Sequence, residues 1–231
     1  MRDLVFGKIT AILVLAANCS IGNHVYLIRN MASAIGNPLK KVLRQRMKTE
    51  VIPAISAESI VEQSKAIYEK VIASEAFRQA KDVSIYLSTG SEVDTLALLR
   101  ELFKQQKNVF VPTYNGRLME MVRVKDWADY ESLPLTKWHI KQPNIKDGRE
   151  SALTNGRGID LFLMPGVAFT LSGGRMGHGM GYYDGFLKRH FDTYPEKKPI
   201  LMALAFREQI VEEGTLPLEP HDVRLTTVVT P

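Results

Sequence analysis

An apolar strand, a glycine-rich loop and a helix follow one another between Ile159 and Phe191, and this succession constrains the fold more than any other part of the chain. Ile159–Met164 is an apolar run closed by Pro165-Gly166, which is typical of a buried strand. Gly174–Asp184 then contains three alternating glycines, and Tyr182–Phe191 has the pattern of a helix with a basic end. A strand that leads through glycines into a helix is typical of α/β proteins.

The alternating glycines Gly177, Gly179 and Gly181 allow backbone angles closed to other residues and can expose successive N–H groups. Such a loop before a helix start can bind an anion, because the N–H groups and the helix dipole both favour negative charge. Most glycine runs of this kind are only tight turns. The spacing alone therefore leaves a phosphate site and a simple turn as comparable alternatives.

The rest of the chain continues the alternation of strands and helices. Asn37-Pro38 provides a helix start, and a second helix is predicted with a capping box at Ser59 and Glu62. Together these patterns predict a single α/β domain with three layers, α/β/α, around a mostly parallel sheet. The further predicted elements are strands at Val83–Leu87, Val109–Pro112, Met119–Val124, Leu201–Phe206 and Thr227–Val229, a helix at Asp94–Lys104, and a surface loop at Ile145–Gly158.

Composition excludes several classes of protein. The 231 residues are 45% hydrophobic, which suits one globular core, and the single cysteine, Cys19, excludes an intrachain disulfide. The formal net charge of +5 is mildly basic, but the chain has no Lys/Arg run with interleaved aromatics and no RNA-binding signature. We therefore expect neither nucleic acid nor a membrane among its partners, and we expect a monomer.

Residues 1–30 differ from the rest and are predicted to be an extension outside the domain formed by residues 31–231. Arg2 and Lys8 precede the apolar stretch Ile9–Ala17, which is too short for a bilayer span of about 20 residues. The sequence from Met31 resembles an ordinary translation start. A non-essential or upstream start, an organelle presequence and a secretion signal remain the alternatives. The expected location is cytoplasmic, or mitochondrial if the extension is a presequence.

Several separated motifs resemble one enzyme family. They are Lys40-Lys41-Val42-Leu43-Arg44, Ile85-Tyr86-Leu87-Ser88 with Glu92-Val93-Asp94-Thr95, Trp138 with Gln142-Pro143, Pro165–Phe169 followed by the Gly174–Asp184 loop, Ala203–Phe206 with Gln209, and His221-Asp222. Their order, from about Pro38 to Val229, is similar to that of the 5-formyltetrahydrofolate cyclo-ligases, also called methenyltetrahydrofolate synthetases. The resemblance implies that 5-formyltetrahydrofolate, its polyglutamates included, and ATP are the substrates. The implied products are 5,10-methenyltetrahydrofolate, ADP and phosphate, in folate one-carbon metabolism.

The resemblance also implies roles for individual residues. Arg175 and His178 are the expected catalytic residues, and a guanidinium suits phosphate because it binds two oxygens at once. Without the resemblance, Lys40 and Arg44 would be a solvated basic helix face. The residues that match the family's ATP-binding segments are Lys40, Lys41, Val42, Leu43 and Arg44 on the first helix, and Arg175, Met176, Gly177, His178, Gly179, Met180, Gly181, Tyr182 and Tyr183 on the loop.

Carboxylates and aromatics complete the implied site. Asp184 and Asp222 match the positions that hold Mg²⁺, which prefers oxygen ligands beside phosphates. A helix-start acid and a turn residue are their alternative interpretations. Glu92 is a suitable acceptor for the pterin N–H groups. The folate-contacting residues implied by the resemblance are Leu87, Glu92, Trp138, His178 and Tyr183.

Two loop positions depart from the family pattern. Some members carry Arg and Lys where this chain has His178 and Met180, so two positive charges are absent from the expected phosphate site.

Two rival functions, from different classes of protein, remain as alternatives. One is a non-catalytic ligand-binding or RNA-associated relative, and the other is a sugar-phosphate isomerase or CoA-transferase-like enzyme of the same fold. The basic first helix and the Gly-Tyr-Tyr-Asp sequence argue against the second rival.

Overall fold

A computed structural model describes residues 38–116, 118–136, 140–220 and 222–231 of the chain. The chain divides into two compact units, residues 1–42 and 43–231. Of the first unit, residues 38–42 are described, and they lie in helix α1 (Pro38–Arg46), which begins with the predicted proline. The predicted extension, residues 1–30, lies outside the described residues.

A six-stranded sheet organises the second unit. The strands of the protein are β1 (Asp82–Ile85), β2 (Asn108–Asn115), β3 (Leu118–Val124), β4 (Leu161–Met164), β5 (Ala168–Phe169), β6 (Arg175–Met176), β7 (Ile200–Leu204) and β8 (Thr227–Val229). The strand order of the sheet is β3-β2-β1-β4-β7-β8, and every neighbouring pair is parallel except β2 and β3, which form an antiparallel hairpin. A separate two-stranded hairpin joins β5 and β6.

Alternate residues of the strands supply two hydrophobic cores, one on each face of the sheet. In β4, Leu161 and Leu163 belong to the first core, whereas Phe162 and Met164 belong to the second. The apolar run predicted to be a buried strand is thus buried on both faces, as expected for the centre of a parallel sheet. Two covered faces require helices on both sides.

Helices cover both faces. The α-helices that follow α1 are α2 (Ala57–Ala73), α3 (Glu75–Gln79), α4 (Leu96–Lys104), α5 (Trp127–Ser132) and α6 (Tyr182–Thr193). Helices α2, α3 and α4 contribute to the first core, and α6 contributes Tyr183, Phe186 and Leu187 to the second. The predicted three-layer α/β fold with a mostly parallel sheet is confirmed. No helix of the described ranges is long and apolar enough to cross a membrane.

The direction in which strands are added to the sheet reverses between β1 and β4, and the candidate site is expected at this point. From β1 the chain proceeds to β2 and β3 on one side, and β4 is followed by β7 and β8 on the other. In open parallel sheets a crevice forms at such a switch point, outside the carboxyl ends of the strands. The loop after β1 carries Leu87 and Glu92, and the segment after β4 leads from Pro165 into the glycine loop.

Several predicted boundaries were wrong by a few residues, for local reasons. Helix α2 begins at Ala57 because Ser56, not Ser59, is its cap: the Ser56 hydroxyl accepts from the Ser59 N–H at 3.2 Å. Helix α4 begins two residues after Asp94, whose carboxylate accepts from the Leu96 N–H. The short β5–β6 hairpin was not predicted, since two-residue strands leave no periodic pattern.

Candidate functional site

The glycine loop lies between β6 and α6 and takes the backbone shape that its glycines permit. Gly179 has φ +104° and Gly181 has φ +67°, both in the left-handed region, whereas Gly177 does not have a positive φ. Gly181 is the residue before α6, and no side chain caps that helix end. An uncapped helix start at the end of a glycine loop is suited to binding an anion.

Arg44 contacts this loop directly. Its Nε donates to the carbonyl oxygen of Gly177 at 2.9 Å. A Cβ placed on Gly179 would lie 3.2 Å from the Arg44 Cζ, so glycine at this position lets the guanidinium approach the backbone. The structure thus brings Arg44 and the glycine loop together, both of which were predicted to bind the same ligand. Lys40, Lys41 and Val42 precede Arg44 on α1 and belong to the first unit.

Arg175 is buried at the floor of the loop, with 8% of its surface exposed. One guanidinium nitrogen lies 3.1 Å from the Asp184 carboxylate, and the other donates to the Pro165 carbonyl at 3.4 Å. Its Nε has no hydrogen-bond partner among the described residues. A buried guanidinium that retains an unused donor can bind an additional oxygen.

The two predicted metal ligands are connected through the backbone. The Asp184 carboxylate accepts from the N–H of Val223, the residue after Asp222, at 3.2 Å. The Asp222 carboxylate accepts from the Glu219 N–H at 2.7 Å. The described ranges contain no group of three or more His, Cys, Asp or Glu that could hold a metal. One or two carboxylates with substrate phosphates are the usual Mg²⁺ donors, so this pair fits that ion.

Glu92 stands on the opposite side of the crevice, in the loop after β1. One carboxylate oxygen accepts from the Thr89 N–H at 2.8 Å and from the Thr89 hydroxyl at 3.0 Å. The other lies 3.9 Å from the His178 Nε2. Thr89 therefore fixes one oxygen, and the second faces the glycine loop. Leu87, in the same loop, is partly buried against the first core.

Two tyrosines that begin α6 complete the wall of the site. Tyr183 is buried, and its hydroxyl has no partner among the described residues. Burial raises the pKa of Tyr183 well above its usual value, and the nearby Tyr114 and Glu92 raise it further, so it stays a neutral donor. Tyr182 packs against Tyr114 at 4.8 Å between ring centroids and donates to the Gly116 carbonyl at 2.8 Å.

Tyr114 was missed by the sequence reasoning. It lies near the carboxyl end of β2, which is parallel to β1, so it reaches the same edge of the sheet as Glu92. Its position at the end of a predicted strand was the signal from which its place in the candidate site could have been predicted. Tyr114 also lines a cleft of about 280 Å³. The predicted Gln142 and Pro143 line the same cleft, and Trp138 lies outside the described residues.

The remaining residues predicted to contact ATP differ in the exposure of their side chains. The side chain of His178 is 56% exposed and Met180 is 59% exposed, so both can meet a ligand from solvent. Met176 is buried in a third core beside β5 and β6, and Leu43 packs against that core. Their side chains pack in the protein interior, which leaves the backbone as their means of contacting a nucleotide.

Comparisons with known proteins bear on the family of the chain. The model of the 5-formyltetrahydrofolate cyclo-ligase family matches residues 37–231. A probable 5-formyltetrahydrofolate cyclo-ligase of Caenorhabditis elegans is 42% identical over 193 residues, 83% of this chain and 92% of the worm protein. The 5-formyltetrahydrofolate cyclo-ligase of Mus musculus is 40% identical over 201 residues, 86% of this chain and 97% of the mouse protein.

A solved structure shows the same fold. The NMR structure of Aquifex aeolicus 5,10-methenyltetrahydrofolate synthetase is similar with a TM-score of 0.66 and 29% identity, and the match covers 83% of this chain and 89% of that one. Sequence and fold therefore lead to one conclusion. The chain belongs to the 5-formyltetrahydrofolate cyclo-ligase family of enzymes.

Proposed function

We propose that this chain converts 5-formyltetrahydrofolate to 5,10-methenyltetrahydrofolate with ATP and Mg²⁺, releasing ADP and phosphate. The supporting observation is the 3.9 Å approach of His178, on the glycine loop, to Glu92, in the loop after β1. The loop proposed to bind phosphate thus faces a carboxylate suited to a pterin. The two sides of the crevice are close enough for a phosphate and a folate to meet.

The proposed reaction activates an oxygen that is otherwise a poor leaving group. The formyl oxygen attacks the γ-phosphorus of ATP and ADP departs, which gives an iminium phosphate. N10 then attacks the formyl carbon, its proton is lost, and the carbon–oxygen bond breaks as phosphate leaves. The protein contributes mainly by positioning the reactants and neutralising charge, as in other phosphoryl transfers.

Each part of the site has a place in this scheme. Arg175, Arg44 and the loop N–H groups bind the phosphates, while Glu92 accepts from the pterin. Asp184 and Asp222 would hold Mg²⁺, which neutralises phosphate charge when bound. His178 lies between the two substrates and can donate to the formyl oxygen or a phosphate. Tyr183 adds a neutral hydroxyl on the same wall.

The remaining expectations belong to the same proposal. The partners are small molecules, namely ATP, 5-formyltetrahydrofolate and its polyglutamates, and the protein acts as a monomer in one-carbon metabolism. The cytoplasm is the proposed location, or the mitochondrion if residues 1–30 act as a presequence.

The decisive experiment follows the product directly. Methenyltetrahydrofolate is a conjugated amidinium that absorbs near-ultraviolet light, unlike the formyl substrate. We expect this absorbance to rise when protein, 5-formyltetrahydrofolate, ATP and Mg²⁺ are mixed, with one ADP formed per ring closed. Omitting Mg²⁺, or the changes Asp184→Asn and Asp222→Asn, should suppress it.

Asp192→Asn is the matched control, because Asp192 lies on the same helix but pairs with Lys188 at the surface. It should retain full activity. A folded protein that binds both ligands without closing the ring would favour the binding-protein rival.

A further inference from the structure

Gln209 is a buried glutamine behind the site, and its amide is fully used. It is 2% exposed and ends the short turn Arg207–Gln209 that follows β7. Its Oε1 accepts from the Phe206 N–H at 3.0 Å. Its Nε2 donates to the Gly166 carbonyl at 2.8 Å and to the Val167 carbonyl at 3.4 Å. The side chain therefore joins the end of β7 to the segment after β4.

These backbone partners permit only one orientation of the amide. The Phe206 N–H can only donate, and the Gly166 and Val167 carbonyls can only accept. Gln209 must therefore supply an acceptor and a donor at the same time. An ionised carboxylate of the same shape would keep the first bond but would face two carbonyl oxygens without a proton to donate.

The segment that Gln209 holds is in contact with Arg175. Pro165 accepts from the Arg175 guanidinium at 3.4 Å, and a Cβ on Gly166 would lie 3.3 Å from the Arg175 Cγ. The Val167 N–H donates to the Met176 carbonyl at 2.7 Å. Residues 165–167 thus form the surface against which the Arg175 side chain is placed.

We propose that Gln209 is a positioning residue, which holds residues 165–167 so that the buried Arg175 guanidinium faces the phosphates. The inference rests on the proposed function, since it assigns Arg175 a phosphate. Loss of the Gln209 donor releases the Gly166 carbonyl, which is then buried without a partner. The segment shifts to find another donor, and Arg175 moves with it.

The test compares Gln209→Glu with Gln63→Glu. Gln63 is 1% exposed and bonds to the other side of the same turn: its Oε1 accepts from the Arg207 N–H at 2.9 Å, and its Nε2 donates to Glu208 at 3.0 Å. Both changes place a carboxylate where a donor is needed, and both should lower the melting temperature at pH 8. Only Gln209→Glu should weaken ATP binding.

Two readouts at pH 8 and pH 6 separate positioning from stability. Calorimetry without folate should show ATP affinity about tenfold lower in Gln209→Glu than in wild type at pH 8, because the displaced guanidinium loses part of its charged hydrogen bonding to the phosphates. The ratio should approach one at pH 6, where a protonated carboxyl can donate to Gly166. Hydrogen exchange at the Val167 amide should be faster in Gln209→Glu and unchanged in Gln63→Glu.

If Gln209→Glu does not fold, Gln209→Asn replaces it at pH 8. Asparagine keeps the amide donor and acceptor but holds them on a side chain that is one methylene shorter.

The outcomes distinguish the two proposals. Wild-type ATP affinity in a folded Gln209 variant, or unchanged Val167 exchange, overturns the positioning role. Equal loss of ATP affinity in Gln63→Glu also overturns it. If wild-type protein binds no ATP, the proposed function fails, and faster Val167 exchange in Gln209→Glu alone still supports the structural part of the inference.

Discussion

At the scale of single residues, the glycine loop depends on positions where a side chain cannot be accommodated. Gly179 combines a φ of +104° with the nearby Arg44 guanidinium, so both its backbone conformation and its surroundings favour the absence of a Cβ. Gly185, on the first turns of α6, has no atom within 4 Å of an added Cβ and no positive φ. The two glycines have opposite structural requirements although they are close in sequence.

We expect Gly179→Val to abolish ATP binding more than it affects folding, because the branched side chain distorts the loop and displaces Arg44. Nucleotide affinity by calorimetry and the melting temperature measure the two effects. Gly185→Ala is the control: it should bind ATP normally and gain up to about 1 kcal/mol of stability, since alanine favours the helix. Normal nucleotide affinity in Gly179→Val would remove the loop from the site.

His190, on α6, has a structural role that is visible in its environment. It is fully buried, its Nε2 accepts from the Ile159 N–H at 2.9 Å, and the Phe162 and Tyr194 rings lie 5.3 Å away. Burial, with a smaller effect of Lys197, lowers the pKa of His190 from 6.5 to about 4. The imidazole is therefore neutral in the folded protein at neutral pH.

The lowered pKa predicts how stability depends on pH. The unfolded chain binds the proton more tightly than the folded one, so the free energy of unfolding falls as the pH falls from 6.5 towards 4. Over this pH range the lowered pKa of His190 changes the free energy of unfolding by on the order of 3 kcal/mol. Urea unfolding of His190→Gln should show a weaker pH dependence in this range than unfolding of the wild-type protein. An unchanged slope in His190→Gln would contradict this assignment.

At the scale of elements, two pieces of secondary structure supply the charges of the proposed phosphate site. Helix α1 carries Arg44, and α6 begins at the glycine loop and carries Asp184 in its first turn. The hydrogen bond from Arg44 to Gly177 connects residues that are 133 positions apart. The helix propensities and glycine preferences are local, but their combination depends on how the elements pack.

Lys40→Ala tests whether α1 contributes more than Arg44. We expect it to weaken ATP binding by about 1.5–3 kcal/mol, the range of a hydrogen bond to a charged group, with little change in folate affinity or melting temperature. Arg46→Ala removes an equal charge from the last turn of the same helix and should have little effect. The solvated face expected for Lys40 without the family resemblance is wrong, because its side chain is buried, with 9% exposed. An unaltered Michaelis constant for ATP in Lys40→Ala would therefore leave Lys40 with a structural role alone.

At the scale of the whole molecule, the reversal of strand order between β1 and β4 brings the site together. Glu92 follows β1, and the segment that leads to Arg175 follows β4. The carboxyl ends of parallel strands lie at one edge of the sheet, so loops distant in sequence meet there. The fold thereby places a carboxylate opposite the glycine loop.

A chain that begins at Met31 should fold and keep its activity, because the motifs that match the family begin near Lys40. Its melting temperature and rate of ring closure should equal those of the full chain. A chain that begins at Leu43 lacks Lys40 and should lose ATP affinity. Loss of folded, active protein on starting at Met31 would show that residues 1–30 contribute to the catalytic domain.

The sequence by itself determined the local features of this protein. The strand at 161–164, the glycine loop and the helix after it were predicted because periodicity and backbone freedom act over a few neighbouring residues. The family also followed from the sequence, since its motifs are specific strings in a specific order. The positions of Gly181 and Asp184 at the start of α6 belong to this group.

Only the tertiary structure decided which distant groups meet. The approach of His178 to Glu92, the contact of Arg44 with Gly177, and the bonds from Gln209 to Gly166 join segments that no local pattern relates. Tyr114 belongs to the same group, because its place beside Tyr182 depends on the order of the strands. Strand order results from the burial of two hydrophobic faces at once, and many arrangements of similar apolar strands would satisfy a single face.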